Sequence, residues 1–171
     1  SIGSEMARQV AKNEPHLLVL LDQAESPLHD FRLEISNTYP TLYFIPCIAD
    51  IRSRERVEEV ISMYKPDIIY HAAAYKHVPL MEEHPCESIH ANVMGTKNVA
   101  DMAIKYGVKR FVMVSTDKAV NPTNIMGASK RIAEIYVQSL FKKTVQTNPD
   151  CTKFITTRFG NVLGSNGSVI P

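Results

Sequence analysis

Three proton-exchanging side chains stand in a row at Thr116-Asp117-Lys118, a hydroxyl, a carboxylate and an amine. They follow the apolar run Arg110-Phe-Val-Met-Val-Ser-Thr116, which reads as a strand buried on both faces of a parallel sheet. Open α/β sheets place ligands at the carboxyl ends of such strands. Beyond a polar loop with Asn121-Pro122 comes Met126-Gly-Ala-Ser-Lys130, where positions 126 and 130 lie one helical turn apart and share a face. A second amine can therefore join the first three groups. Taken alone, the cluster is equally a polar strand end beside a solvated helix.

Other clusters stand at matching places. His16-Leu-Leu-Val-Leu-Leu-Asp22 is an apolar run ending in an acid, 19 residues after Gly3. In a dinucleotide-binding sheet, an acid at that spacing holds the adenosine ribose, and the glycine closes the turn whose helix faces the pyrophosphate. Ser1-Ile2-Gly3 opening a helix is then the end of a phosphate loop, although a lone glycine also serves as an ordinary helix-entry residue. Asp50-Ile51 follows a second run, Tyr43–Ile48; the carboxylate can bond an adenine amino group while Ile51 packs on the ring. Capping the next helix is an equal alternative for Asp50. Ala72, Ala73 and Ala74, after the run Asp67–His71, are small enough for backbone to approach a ligand closely. His71, His77, His84 and His90 are six or seven residues apart, which is not the spacing of a helical metal site, so no metal is expected.

The elements that must position these groups alternate in period. After the run Tyr43–Ile48, which Pro46 makes irregular or edge-like, Val57, Val60, Ile61 and Tyr64 mark an amphipathic helix over 51–64 with Ser53 as its cap. Helices are expected over 86–106, with Ile89, Val93, Ala100 and Ile104 inward and Gly107 as the stop, and over 126–143, carrying Ile132, Ile135, Tyr136, Leu140 and Phe141. Lys153–Arg158 makes a last strand before a glycine- and asparagine-rich turn. This alternation means βαβ units, hence an α/β fold with a doubly wound parallel sheet and helices on both faces. The strand that should precede the Gly3 turn is not in the sequence, nor is a substrate domain after Pro171. Residues 1–171 are therefore expected to be one partial dinucleotide-binding domain of a longer protein, without its central strand and inactive by itself.

Composition narrows the class. Nineteen Lys+Arg against 18 Asp+Glu give a net charge of +1, too little excess to favour nucleic acid as a partner. No apolar run approaches the roughly 20 residues that cross a bilayer, and Ser1–Asn13 lacks the pattern of a signal peptide. Cys47, Cys86 and Cys151 are odd in number and far apart, which reads as reduced cytoplasmic thiols.

Taken together, the sequence resembles the extended short-chain dehydrogenase/reductase family, and more narrowly the nucleotide-sugar 4,6-dehydratases acting on UDP-N-acetylglucosamine, the capsule and O-antigen type of polysaccharide biosynthesis protein. The segments that carry the resemblance are Ser1–Glu5, Leu21–Pro27, His71–Pro79, Asn92–Thr96, Val114–Pro122, Met126–Arg131 and Arg158–Val162. Many members have Tyr four residues before the lysine, where this sequence has Met126. A thioether neither donates nor accepts a proton at neutral pH, so Thr116-Asp117-Lys118 must supply the acid and base. Membrane-anchored members of the subgroup share this Met.

The resemblance implies a Rossmann-type domain holding NAD, with NADP as the other option and Asp22 repelling a 2′-phosphate. It implies that Lys130 holds the nicotinamide ribose, that Asn92 and Phe159 lie along the cofactor, and that Lys76, His77 and Asn161 face a UDP-sugar. The implied reaction is an internal redox cycle: hydride leaves C4, the C5 proton is lost, the C6 hydroxyl departs as water, and hydride returns to C6. Lys118 is the implied C5 base, Asp117 the acid at the C6 oxygen, and Thr116 the group that orients the C4 hydroxyl. The alternatives are a 4-epimerase on the same scaffold, which Met126 disfavours, and a non-catalytic dinucleotide-binding module, in which the three groups have no task. A homo-oligomer built on the helices 86–106 and 126–143, and a parent chain tethered to the cytoplasmic membrane face, are further implications.

Overall fold

A computed structural model describes residues 1–160. Five strands form two sheets, all parallel: β1 (Leu18–Asp22) pairs with β2 (Phe44–Ile48), and β3 (Ile68–His71), β4 (Arg110–Thr116) and β5 (Lys153–Phe159) pair in that order. The helices between them are α1 (Ile2–Ala11), α2 (Glu25–Thr38), α3 (Arg54–Tyr64), α4 (Val78–Glu83), α5 (Pro85–Ser88), α6 (Thr96–Lys105) and α7 (Ile125–Thr147). This is the α/β architecture of parallel strands joined by helical crossovers. The residues fall into two compact units, Ser1–Asp50 and a second beginning at Ile51.

In the first unit, Ser1 caps α1 by accepting from the Ser4 amide at 3.1 Å, and Gly3 lies inside the helix. The Ala11, Leu20, Leu28, Ile35 and Cys47 side chains make its core. Arg8 donates to both oxygens of Glu34, at 2.5 and 2.9 Å, tying α1 to α2. Helix α2 was not foreseen from apolar spacing, because Leu28 and Ile35 are its only buried side chains. Pro46 sits opposite Leu20 in a strand that pairs on one side, as its missing N–H requires.

The second unit is built around β4, whose Phe111, Met113, Val114 and Ser115 are buried between its two neighbouring strands. Burial on both faces holds for β4 but not for β3, where Ile68 and Tyr70 are exposed and where, among the described residues, β4 is the strand that pairs with it. Ser53 caps α3 through the Arg56 amide, and Gly107 ends α6 with φ 70°, both as expected. The long helix anticipated over 86–106 is broken into α5, a π-helical turn over Ile89–Gly95, and α6. Its buried face carries Ala91, Asn92, Gly95, Thr96, Val99 and Met102, whereas Ile89 is exposed. On α7 the buried stripe is Met126, Lys130, Ala133, Glu134 and Val137; Ile132 and Ile135 are exposed, contrary to the expected stripe. The helix uses its small and polar residues against the sheet and leaves two isoleucines outside. Among the described residues, no helix is long and apolar enough to cross a membrane.

Candidate active site

The carboxyl end of β4 delivers the three groups in hydrogen-bonded form. Thr116 Oγ1 donates to Asp117 Oδ1 at 2.9 Å, and the Lys118 ammonium reaches the same oxygen at 3.3 Å. Thr116 Oγ1 also accepts from the Lys118 amide, capping the short 3-10 turn Asp117–Ala119. The bond from Thr116, aided by Lys118, holds the Asp117 carboxyl below the ordinary carboxylate range, so it is ionised at neutral pH. Its side chain is 58% exposed, leaving it open to a ligand.

Glycine 127 locks this turn to α7. A Cβ there would come 2.5 Å from the Lys118 carbonyl oxygen, so only glycine lets the helix start approach the turn. Two caps fix the same helix end: Asn124 accepts from the Gly127 amide at 2.8 Å, and Glu82 of α4 accepts from the Ile125 amide at 2.7 Å. Met126 is thereby buried in the first turn, and Lys130 follows one turn later. The Lys130 residue is 5% exposed, and no described residue accepts a hydrogen bond from its ammonium; burial brings its pKa down to about 8, against the pull of Glu134.

Behind Lys130 lies a polar network that the sequence reading did not assemble. His71, ending β3, is buried with Nε2 2.8 Å from Thr96 Oγ1. Thr96 donates its own proton to the Asn92 carbonyl at 2.7 Å, so the imidazole must donate from Nε2. Burial, with the nearby Lys130 charge, lowers the His71 pKa to about 3 and keeps the ring neutral. Asn92 is fully buried in the π-helical turn. Its amide accepts from the Tyr75 N–H at 2.9 Å and donates to the Tyr75 carbonyl at 3.1 Å and Ser129 Oγ at 2.9 Å. With these partners Asn92 can reach a cofactor only through the loop it clamps, the one bearing Ala72–Ala74. Spacing alone gave no sign of Thr96, Ser88 or Ser129 as partners: the π-turn rotates Asn92 and Thr96 inward, and Ser129 meets Asn92 from α7.

The remaining predicted residues are placed as follows. Ala72 and Ala74 are half-buried and Ala73 is exposed; Lys76 and His77 are exposed at the start of α4. Phe159 is 43% exposed and pairs in register with Thr116, so the ends of β4 and β5 lie together; a Cβ on Gly160 would be 3.7 Å from Asp117 Oδ2. Ile51 is buried with its side chain filling the space left by Gly95, where a Cβ would be 2.5 Å from Ile51 Cδ1. In the first unit, Asp22 is exposed at the end of β1 and turns the chain by accepting from the Ala24 amide at 2.9 Å; Asp50 is half-buried. Ser1 caps α1, and Ile2 and Gly3 open that helix. Asn161 lies outside the described residues.

The acid–base set, a buried lysine whose amine has no acceptor among the described residues, and small residues at a strand end fit a redox cofactor beside a hydroxylated substrate. The chain is 52% identical over its whole length to the capsular polysaccharide biosynthesis protein CapD of Staphylococcus aureus, covering 28% of it. It is 37% identical, again over its whole length, to a UDP-N-acetylglucosamine 4,6-dehydratase (inverting) of Campylobacter jejuni, covering 49% of it. Over 89% of the chain it is 41% identical to a UDP-glucose 4-epimerase of Rickettsia canadensis, covering 42% of that protein. The solved structure of Pen from Bacillus thuringiensis superposes with a TM-score of 0.85 at 31% identity, over 98% of this chain and 52% of that one. The chain thus spans less than half the length of each of these three curated relatives. The family described as polysaccharide biosynthesis protein matches residues 1–171 throughout, and the chain belongs to it.

Proposed function

We propose that the protein containing this chain is a nucleotide-sugar 4,6-dehydratase acting on UDP-N-acetylglucosamine in surface polysaccharide biosynthesis. The observation that carries this reading is the hydrogen-bonded Thr116-Asp117-Lys118 set beside a helix start where Met126 can move no proton. NAD(P), when bound, supplies the oxidant for C4 and the reductant for C6. The Lys130 ammonium, with no acceptor among the described residues, is the group that holds its nicotinamide ribose, and the exposed Asp22 carboxylate favours NAD by repelling a 2′-phosphate.

The chain's own groups then balance the protons. Thr116 holds the C4 hydroxyl and relays its proton along the 2.9 Å bond to the ionised Asp117 carboxylate. Lys118 takes the C5 proton. Asp117 returns its proton to the departing C6 hydroxyl, which leaves as water, and Lys118 gives its own back to C5. Ile132 and Ile135, exposed on α7, support pairing with a second copy of the protein, and the reduced thiols support a cytoplasmic location.

Full-length protein incubated with UDP-N-acetylglucosamine and NAD should give a product lighter by one water, read by mass spectrometry. An isomer of unchanged mass would replace this reading with the 4-epimerase. Lys118→Ala should abolish turnover and leave NADH binding nearly intact, and a retained rate would exclude Lys118 as the C5 base.

A further inference from the structure

We infer that Glu134 is the positioning residue of the site, holding the charge of Lys130 on one side and the end of β5 on the other. It follows Lys130 by one turn of α7, on the same face. Its side chain is fully buried, which for an unpaired carboxylate would be prohibitive. Arg158 answers with a two-pronged contact, Nε to Oε1 at 2.9 Å and Nη2 to Oε2 at 2.6 Å, and Arg131 adds a bond to Oε2 at 3.1 Å. Burial works against ionisation of Glu134, but the bonds from Arg158 and Arg131 outweigh it and hold the carboxyl below its ordinary value.

A tie between a helix and a strand needs one cation and one anion. Here two guanidiniums bond a single carboxylate that also attracts the Lys130 ammonium one helical turn away. The ammonium is the only one of the three without a bonded acceptor among the described residues, so the Glu134 field keeps it charged as water is withdrawn. The other titratable group facing Lys130 is His71 of β3, neutral and fixed on Thr96, which adds no charge. The same carboxylate fixes Arg158, and the chain runs on from there through Phe159 to Gly160 beside Asp117. Replacing Glu134 should therefore alter cofactor binding in a pH-dependent way, which loss of packing alone would not do.

This inference rests on the reading of Lys130 as a cofactor ligand, and NADH fluorescence titration of the full-length protein between pH 6 and 9.5 tests the two separately. Wild-type affinity should fall as pH rises through about 8. In Glu134→Gln the fall should begin about one pH unit lower, making the variant roughly fivefold weaker than wild type near pH 8 but within about twofold at pH 6. Glu134→Asp should restore the wild-type midpoint. Arg131→Ala, at a half-exposed side chain, should move the midpoint upward by removing a competing cation. A Glu134→Gln effect of the same size at every pH, or an Arg131→Ala midpoint that stays or falls, would overturn the assignment. Wild-type protein that binds no NADH at any pH would overturn the cofactor reading, and the inference with it.

Discussion

A lysine buried without a hydrogen-bond acceptor among the described residues is unfavourable to build, and Lys130 shows how unfavourable. Its pKa falls to about 8 from an ordinary 10.5, a difference that corresponds to about 3 kcal/mol against the charged form. The folded pKa lies below the unfolded one, so between about 8 and 10.5 the unfolded chain binds more protons and this group's contribution to stability rises with pH. At neutral pH the full penalty is present. Lys130→Met, similar in length and without charge, should therefore raise the unfolding free energy at pH 7 by about 2–3 kcal/mol in urea denaturation. The gain should shrink as the pH is taken from 8 towards 10.5, while NADH binding is lost at every pH. A variant no more stable than wild type at pH 7 would mean that the ammonium is better solvated than its burial indicates. Residue type and spacing picked out Lys130 at once, because a lysine one turn after the helix start is visible in the sequence. The depth of its burial was not, since it depends on which face of α7 meets the sheet.

At the scale of elements, the site is fixed less by the strand that carries the reactive groups than by what presses on its end. The 3-10 turn Asp117–Ala119 meets the first turn of α7 at Gly127, and α4 reaches the same helix start through Glu82. A methyl group at Gly127 would have to displace a backbone carbonyl, which cannot swing aside as a side-chain tip can. Gly127→Ala should cost about 1–3 kcal/mol of stability. It should also lower kcat about tenfold or more by moving the Asp117–Lys118 pair, even though it deletes no reactive group. Urea unfolding and steady-state kinetics read the two effects, and an unchanged kcat would show that the turn keeps its geometry without this contact. Elements of strong period were legible here: β4 begins and ends at the residues its apolar run marks, and Ser53 and Gly107 cap where their types say they should. The π-helical turn was not, because Asn92 and Thr96 reveal their partners only once the wider turn rotates them inward, Asn92 onto Ser129 of α7 and Thr96 onto the Asn92 carbonyl. Neither was the outward placement of Ile132 and Ile135, since hydrophobic type alone cannot tell a core face from one left for another chain.

For the whole molecule, the same buried network predicts how stability depends on acid. His71 is held neutral with a pKa of about 3 against an ordinary 6.5, chiefly by burial and then by Lys130. Below 6.5 the unfolded chain takes up a proton that the folded chain refuses, so stability falls as pH drops through that window and is fully present above it. The carboxylates held low by partners, among them Glu34, Glu58, Asp101 and Glu134, act in the same direction, but only once the pH passes below their ordinary values of 4.5 for Glu and 3.8 for Asp. The stretch from pH 6.5 to 4.5 is therefore where His71 can be read without them, and the expected loss across it is about 2–3 kcal/mol. His71→Gln keeps a donor at the reach of Nε2 for Thr96 and removes the titration. Its unfolding free energy, measured by urea titration at intervals across the window, should be nearly flat where the wild type slopes, should turn down below pH 4.5 as the carboxylates protonate, and should match the wild-type slope only below about pH 3, where folded His71 also takes up its proton. A variant that retains the wild-type slope between 6.5 and 4.5 would place the acid-sensitive proton elsewhere and would free His71 to carry charge beside Lys130, which the Thr96 bond and the depth of burial argue against.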